Sequence, residues 1–74
     1  MINYKKLWHL LIDKGMNKSA LQKASGITWT SISKLNRNEN VNTEVLLKIC
    51  NALKCDISDI MEISHDELPL EKKK

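Results

Sequence analysis

The chain has no phenylalanine, and its 74 residues include two tryptophans and one tyrosine, an aromatic share of 4%. Any core must therefore come from Leu, Ile, Val, Met and Ala, and a base-stacking platform for single-stranded nucleic acid has too few aromatic residues to form. Cysteine occurs twice, at Cys50 and Cys55. Neither the five-residue spacing nor a nearby histidine suits a structural zinc site, so both read as free thiols packed as small hydrophobes, and no metal or other cofactor is expected. A disulfide between them is sterically possible if the pair straddles a helix end. Long apolar runs are missing too. The stretch MINYKKLWHLLIDKG is too short and too often interrupted for a signal peptide or a membrane span, which predicts a cytoplasmic protein without a membrane partner. There is no Asn-Gly turn, no segment of strand length alternates apolar and polar residues, and no repeat is present.

Length sets a further limit, because a second independent core would need roughly another 100 residues. That excludes a multi-domain enzyme. A single core of this size supplies only about 3–5 kcal/mol, which favours local, helical architecture or self-association over a deep substrate pocket.

The formal charge is +3, but it is unevenly distributed. Residues 1–38 hold seven basic side chains against Asp13 alone, a net +6, whereas residues 39–74 hold five lysines against eight acids, a net −3. A basic half on a near-neutral chain suits a polyanion, although a merely solvated face would carry similar charge.

Apolar periodicity divides the chain into helices. Tyr4, Leu7, Trp8, Leu11 and Ile12 form one amphipathic stripe over Tyr4–Lys14, with Asn3 as N-cap and Gly15 as stop. Asn17 caps a short second helix, about Lys18–Ser25, which turns Leu21, Ala24 and Ser25 to one face and ends at Gly26. Thr28 caps a third helix, about Trp29–Asn36, with Ile32 and Leu35 inward and Asn38 in the left-handed conformation that closes it. Val41 anchors the polar loop 36–40. Asn42 caps a fourth helix whose apolar face is Val45, Leu46, Ile49, Cys50 and Leu53. Asp56 caps a short fifth helix with Ile57, Ile60 and Met61 inward. The composition changes after Ile63, which predicts a folded domain over 1–63 and a flexible tail over 64–74.

Between Asn17 and Arg37 lies a capped short helix, a glycine turn of about three residues, and a second short helix. This is helix-turn-helix spacing, with Leu21, Ile27, Ile32 and Leu35 supplying the apolar contacts and Gly26 a backbone that resists a Cβ. The strings MNKSALQKASGITWTSISKLNRNENV and LLKICNALKCDISDIME resemble the lambda-repressor-like family of Cro and phage-repressor type regulators, over about Tyr4–Met61. The resemblance implies an all-α, five-helix DNA-binding fold and a sequence-specific regulator of double-stranded DNA whose third helix enters the major groove. Two departures stand out. Gln22 replaces a small Ala, so packing of the two motif helices is expected to rely on Ala24 and Ser25. Glu44 stands where a basic minor-groove contact would be suggested, and that contact is not carried over.

With Thr28, Ile32 and Leu35 inward, a helical wheel puts Thr30, Ser33, Lys34 and Arg37 on the opposite face and Trp29 on the flank. Lys34 can donate to guanine, and Thr30 and Ser33 can serve several bases. Trp29 can pack on a sugar or thymine methyl, or against the neighbouring helix. Arg37 at the helix end suits a phosphate. Asn17 and Lys18 open the second helix, where unpaired N–H groups attract phosphate, although Asn17 can equally be a cap. Asn38 and Asn40 can reach the DNA backbone or simply make turns. His9 and His65 have no pairing logic, and no residue set suggests catalysis, so no enzyme and no small-molecule substrate are expected.

A domain this small contacts few base pairs, which predicts a homodimer on a pseudo-palindrome, with Ile60–Leu70 as the candidate dimer surface. The competing reading is a protein-interaction module such as an antitoxin or adaptor, which Gln22 and Trp29 would suit.

Overall fold

A computed structural model describes residues 1–64. Four α-helices follow one another: α1 (Lys5–Asp13), α2 (Lys18–Ser25), α3 (Trp29–Asn36) and α4 (Thr43–Leu53). A short strand, β1 (Ile2–Asn3), precedes them, and a single 3-10 turn (Ile57–Asp59) and a second strand, β2 (Glu62–Ile63), follow. The expected fifth helix is thus one 3-10 turn, in which Ile57 is 40% exposed while Ile60 just beyond it is fully buried. None of the three residues of the turn is itself buried, so it has no apolar face to propagate a longer helix.

Each interior helix starts where a short polar side chain captures an orphan N–H. Asn17 Oδ1 accepts from Ala20 N–H at 2.8 Å, Thr28 Oγ1 from Ser31 N–H at 3.2 Å, and Asn42 Oδ1 from Val45 N–H at 3.1 Å. Asn3 does not cap α1 in this way. It is paired with Glu62 in the antiparallel β1–β2 ribbon, so the helix begins at Lys5, whose N–H Asn3 Oδ1 accepts at 3.2 Å. The ribbon carries two residues on each side, below the length at which alternation is visible in a sequence.

The helices also end alike. Gly15, Asn38 and Lys54 adopt positive φ, and in each case the next residue's N–H returns to a carbonyl five positions back. Met16 donates to Leu11 at 2.8 Å, Glu39 to Lys34 at 2.9 Å and Cys55 to Cys50 at 3.1 Å. This six-to-one closure brings the two paired side chains together. Gly26 ends α2 at φ +76°, where an added Cβ would meet nothing within 4 Å. Its requirement is therefore backbone conformation and not space.

The core gathers Tyr4, Leu7, Leu11, Leu21, Ile27, Ile32, Leu35, Ile49, Cys50, Leu53 and Ile60. Val41 packs against it from the loop, as do Trp8, Val45, Leu46 and Met61. Ile12 departs from its expected place, being 74% exposed. It lies one residue before the end of α1 and lines an open groove that also borders Lys18 and Trp29. Thr28 and Ala24 are also exposed, so contact between α2 and α3 rests on Leu21, Ile27 and the half-buried Ser25, whose Oγ donates to Leu21 O at 2.7 Å. Of the segment set aside as a tail, Ser64 is tied to the fold by reciprocal main-chain bonds with Met1, both 2.7 Å. Residues 65–74 lie outside the described residues, and so does most of the proposed dimer surface. No helix among the described residues is long and apolar enough to cross a membrane.

Candidate nucleic-acid interface

The interface is built around α3. Ile32 and Leu35 lock this helix into the core, which leaves Thr30, Lys34 and Arg37 exposed, Ser33 half-buried, and Trp29 50% exposed at the first helical position. The wheel-based assignment agrees with the observed burial for Thr30, Lys34, Arg37, Ile32 and Leu35, but Thr28 is exposed rather than inward and Ser33 is half-buried rather than open. Half the surface of Trp29 is open, and the residue lines a groove shared with Trp8, Leu11, Ile12, Met16 and Lys18, which is compatible with either role considered for it.

Lys18 joins three elements. From the first turn of α2, its Nζ lies 4.7 Å above the Trp8 ring of α1 and donates to Asn36 Oδ1, the last residue of α3, at 2.6 Å. A cation held over an aromatic face and hydrogen-bonded to an amide loses rotational freedom. The sequence offered no route to Trp8 or Asn36 as partners, because both contacts depend on the angles between helices. Asn17 beside it uses its Oδ1 as the cap, which leaves its Nδ2 hydrogens as donors at the positive end of α2.

Two further candidates also have partners within the fold. Arg37 Nε donates to Glu39 Oε2 at 2.7 Å. That hydrogen bond, reinforced by the opposite charge, raises the guanidinium pKa and lowers that of the Glu39 carboxyl, with Lys34 adding a smaller pull on the latter. Asn38 is first a structural residue: at φ +57° it closes α3, and its Oδ1 accepts from Tyr4 N–H at 3.2 Å. Tyr4 in turn donates its hydroxyl to Glu39 O at 2.8 Å, so one buried tyrosine fixes the loop that follows the exposed helix. Burial raises the pKa of that hydroxyl. Asn40 is exposed in the same loop, and Glu44 pairs with Lys48 at 3.8 Å across one turn of α4.

The assembled face contains donors and cations but no constellation of nucleophile, base and acid. Among the described residues no group of three or more His, Cys, Asp or Glu side chains could hold a metal ion. A short helix presented by a second helix, with its N-terminal half exposed and cations at both flanks, is the geometry that reads duplex grooves. Residues 6–66 match the Cro/C1-type HTH DNA-binding domain. The chain belongs to that family. A solved structure of similar fold is that of the transcriptional regulator VanUg in its crystal form II, at 49% identity and a TM-score of 0.79, covering 82% of this chain and 81% of that one. No curated protein matches at comparable significance. The Cro/C1-type match favours the DNA-binding reading over the protein-interaction module.

Proposed function

We infer that this Cro/C1-type protein is a transcriptional regulator that binds double-stranded DNA sequence-specifically, with α3 in the major groove. The observation that carries the reading is the split of α3 into a fully buried face, Ile32 and Leu35, and an open face bearing Trp29, Thr30 and Lys34. Trp29, Thr30, Ser33 and Lys34 are the proposed base contacts, with Lys34 donating to guanine O6 or N7. Asn17, Lys18, Arg37 and Asn38 are the proposed phosphate contacts, the asparagines through Nδ2. Glu39 is the built-in competitor of phosphate for Arg37. The protein acts in the cytoplasm as a homodimer on a pseudo-palindromic site, because one domain of this size covers too few base pairs for useful specificity. It works without a cofactor, small-molecule substrate or catalytic step.

Selection from pooled random duplexes at roughly 50 and 200 mM salt tests this reading, since neutralised phosphates make binding steeply salt-dependent. The expected result is a recovered two-fold-symmetric motif whose affinity falls as salt rises. Recovery of no motif at either salt would overturn it.

A further inference from the structure

The six-to-one closure of α4 places two cysteines at the positions this motif brings into contact. Cys55 N–H donates to Cys50 O at 3.1 Å, and Lys54 between them takes φ +54°. The corresponding pairs at the ends of α1 and α3 are Leu11 with Met16 and Lys34 with Glu39, one apolar and one of opposite charge. At α4 the pair is thiol with thiol, both free. Neither has a part in the DNA-binding face: the grooves beside them share no lining residue with the groove at Trp29.

Access and charge point to a reagent. Cys50 is buried, but Cys55 is only partly so and lines an open groove of about 600 Å³ between α1 and the end of α4. Four lysines, Lys5, Lys6, Lys14 and Lys54, surround this groove against Asp13 and Asp59. A net positive approach through this groove favours an anionic reagent, while a second groove, lined by both cysteines, holds Asp56 and Asp59 against Lys54.

We propose that Cys50 and Cys55 form a redox-active dithiol, closing to an intramolecular disulfide by exchange with an anionic low-molecular-weight disulfide. Cys55 as thiolate attacks one sulfur of the reagent, whose S–S bond breaks and releases one small thiol. Cys50 then loses its proton, and its sulfur attacks Cys55 in the mixed disulfide, expelling the second small thiol. Two protein thiols give up two electrons and two protons, and the reagent takes up both as two thiols. Disulfide geometry needs the two Cα atoms within about 7 Å, which the motif's close approach favours.

Burial first, with Cys50 and Asp59 adding to it and Lys14 opposing, pushes the Cys55 thiol up to about 11. Burial also raises Cys50, aided by Asp56 and Asp59. The exchange is therefore slow at neutral pH and accelerates as pH rises, because only the thiolate attacks.

The test incubates the native protein with oxidised glutathione and follows intact mass and peptide mapping after acid quenching, with a parallel reaction in urea. Native protein is expected to accumulate the species two hydrogens lighter, mapped to Cys50–Cys55, with about tenfold less glutathione adduct than the same chain in urea, because the fold supplies the proximity. Cys50→Ser is expected to stop at the adduct on Cys55. Stable adducts on the native wild-type protein, disulfide-linked dimers, no reaction, or equal closure in urea would each overturn the proposal, and the wild-type comparison holds even if the variant fails to fold.

Discussion

Arg37 and Glu39 hold each other at 2.7 Å on the loop side of α3, so the guanidinium proposed as a phosphate contact already has a carboxylate partner. The pair is exposed, and a phosphate must displace the carboxylate to reach the guanidinium. Replacing the side chain of Glu39 leaves its main-chain carbonyl to accept from Tyr4 as before. Glu39→Gln is therefore expected to tighten DNA binding a few-fold and to steepen the dependence of log K on log salt by up to about 0.9, the contribution of one additional phosphate. Filter binding across a salt series reads both. Unchanged affinity and slope would mean that Arg37 does not meet DNA.

Lys34 and Arg37 are assigned different jobs one turn apart, and their alanine variants separate them. Lys34→Ala is expected to cost about 1–3 kcal/mol on the preferred site and to relax specificity at one position. Arg37→Ala should weaken all sequences alike and lower the salt slope by about 1. Competition binding with single-base variants of the selected site distinguishes the two patterns, and identical behaviour would contradict the assignment.

Asn38 combines positive φ with acceptance of the Tyr4 N–H. Asn38→Ala loses both advantages, for an expected destabilisation of about 2–3 kcal/mol from left-handed strain and an unsatisfied donor. Asn38→Gly keeps the backbone and should cost roughly half as much. Urea denaturation measures the order. Glycine as costly as alanine would assign the whole effect to the hydrogen bond.

Alkaline pH should unfold the protein before acid does. Burial raises the pKa of Tyr4 above its ordinary 10.0, and those of Cys50 and Cys55 above 9.0, so above these values the unfolded chain releases protons that the folded chain keeps. Stability is then fully present below about pH 9 and falls as pH climbs through 9 to 11. Glu39 has the opposite sign, its lowered pKa giving stability above the ordinary carboxylate range that is lost on acidification, but it is exposed and its share is small. Thermal melting between pH 7 and 11 checks the slope. Tyr4→Phe should flatten the part above pH 10.

The parts of this fold that were legible in the sequence are those governed by local chemistry. Asn17, Thr28 and Asn42 announce helix starts because a cap needs one side chain and an N–H three residues on. Gly15, Gly26 and Asn38 announce ends because few residues take positive φ. Lys54 does so with no compositional sign, and the Cys50–Cys55 contact it creates was visible only as a possibility. Contacts spanning the molecule could not be read in advance. Lys18 meets Trp8 and Asn36 through helix crossing angles, and Ile2 meets Ile63 through a ribbon too short to show a pattern. Ile12 was misplaced because periodicity says which side of a helix is apolar, not whether another element arrives to cover it.

Among the described residues, main-chain hydrogen bonding between distant parts of the chain occurs where the first residues meet the last, in β1–β2 and in the Met1–Ser64 exchange. Every helix and every helix closure forms from neighbours within five positions, on the timescale of local folding. The ribbon closes a loop of roughly sixty residues, so it is expected to form late and to open early. Its amides are therefore expected to exchange with solvent while those of α2 and α3 remain protected, which leaves the DNA-reading pair intact when the two ends of the fold part.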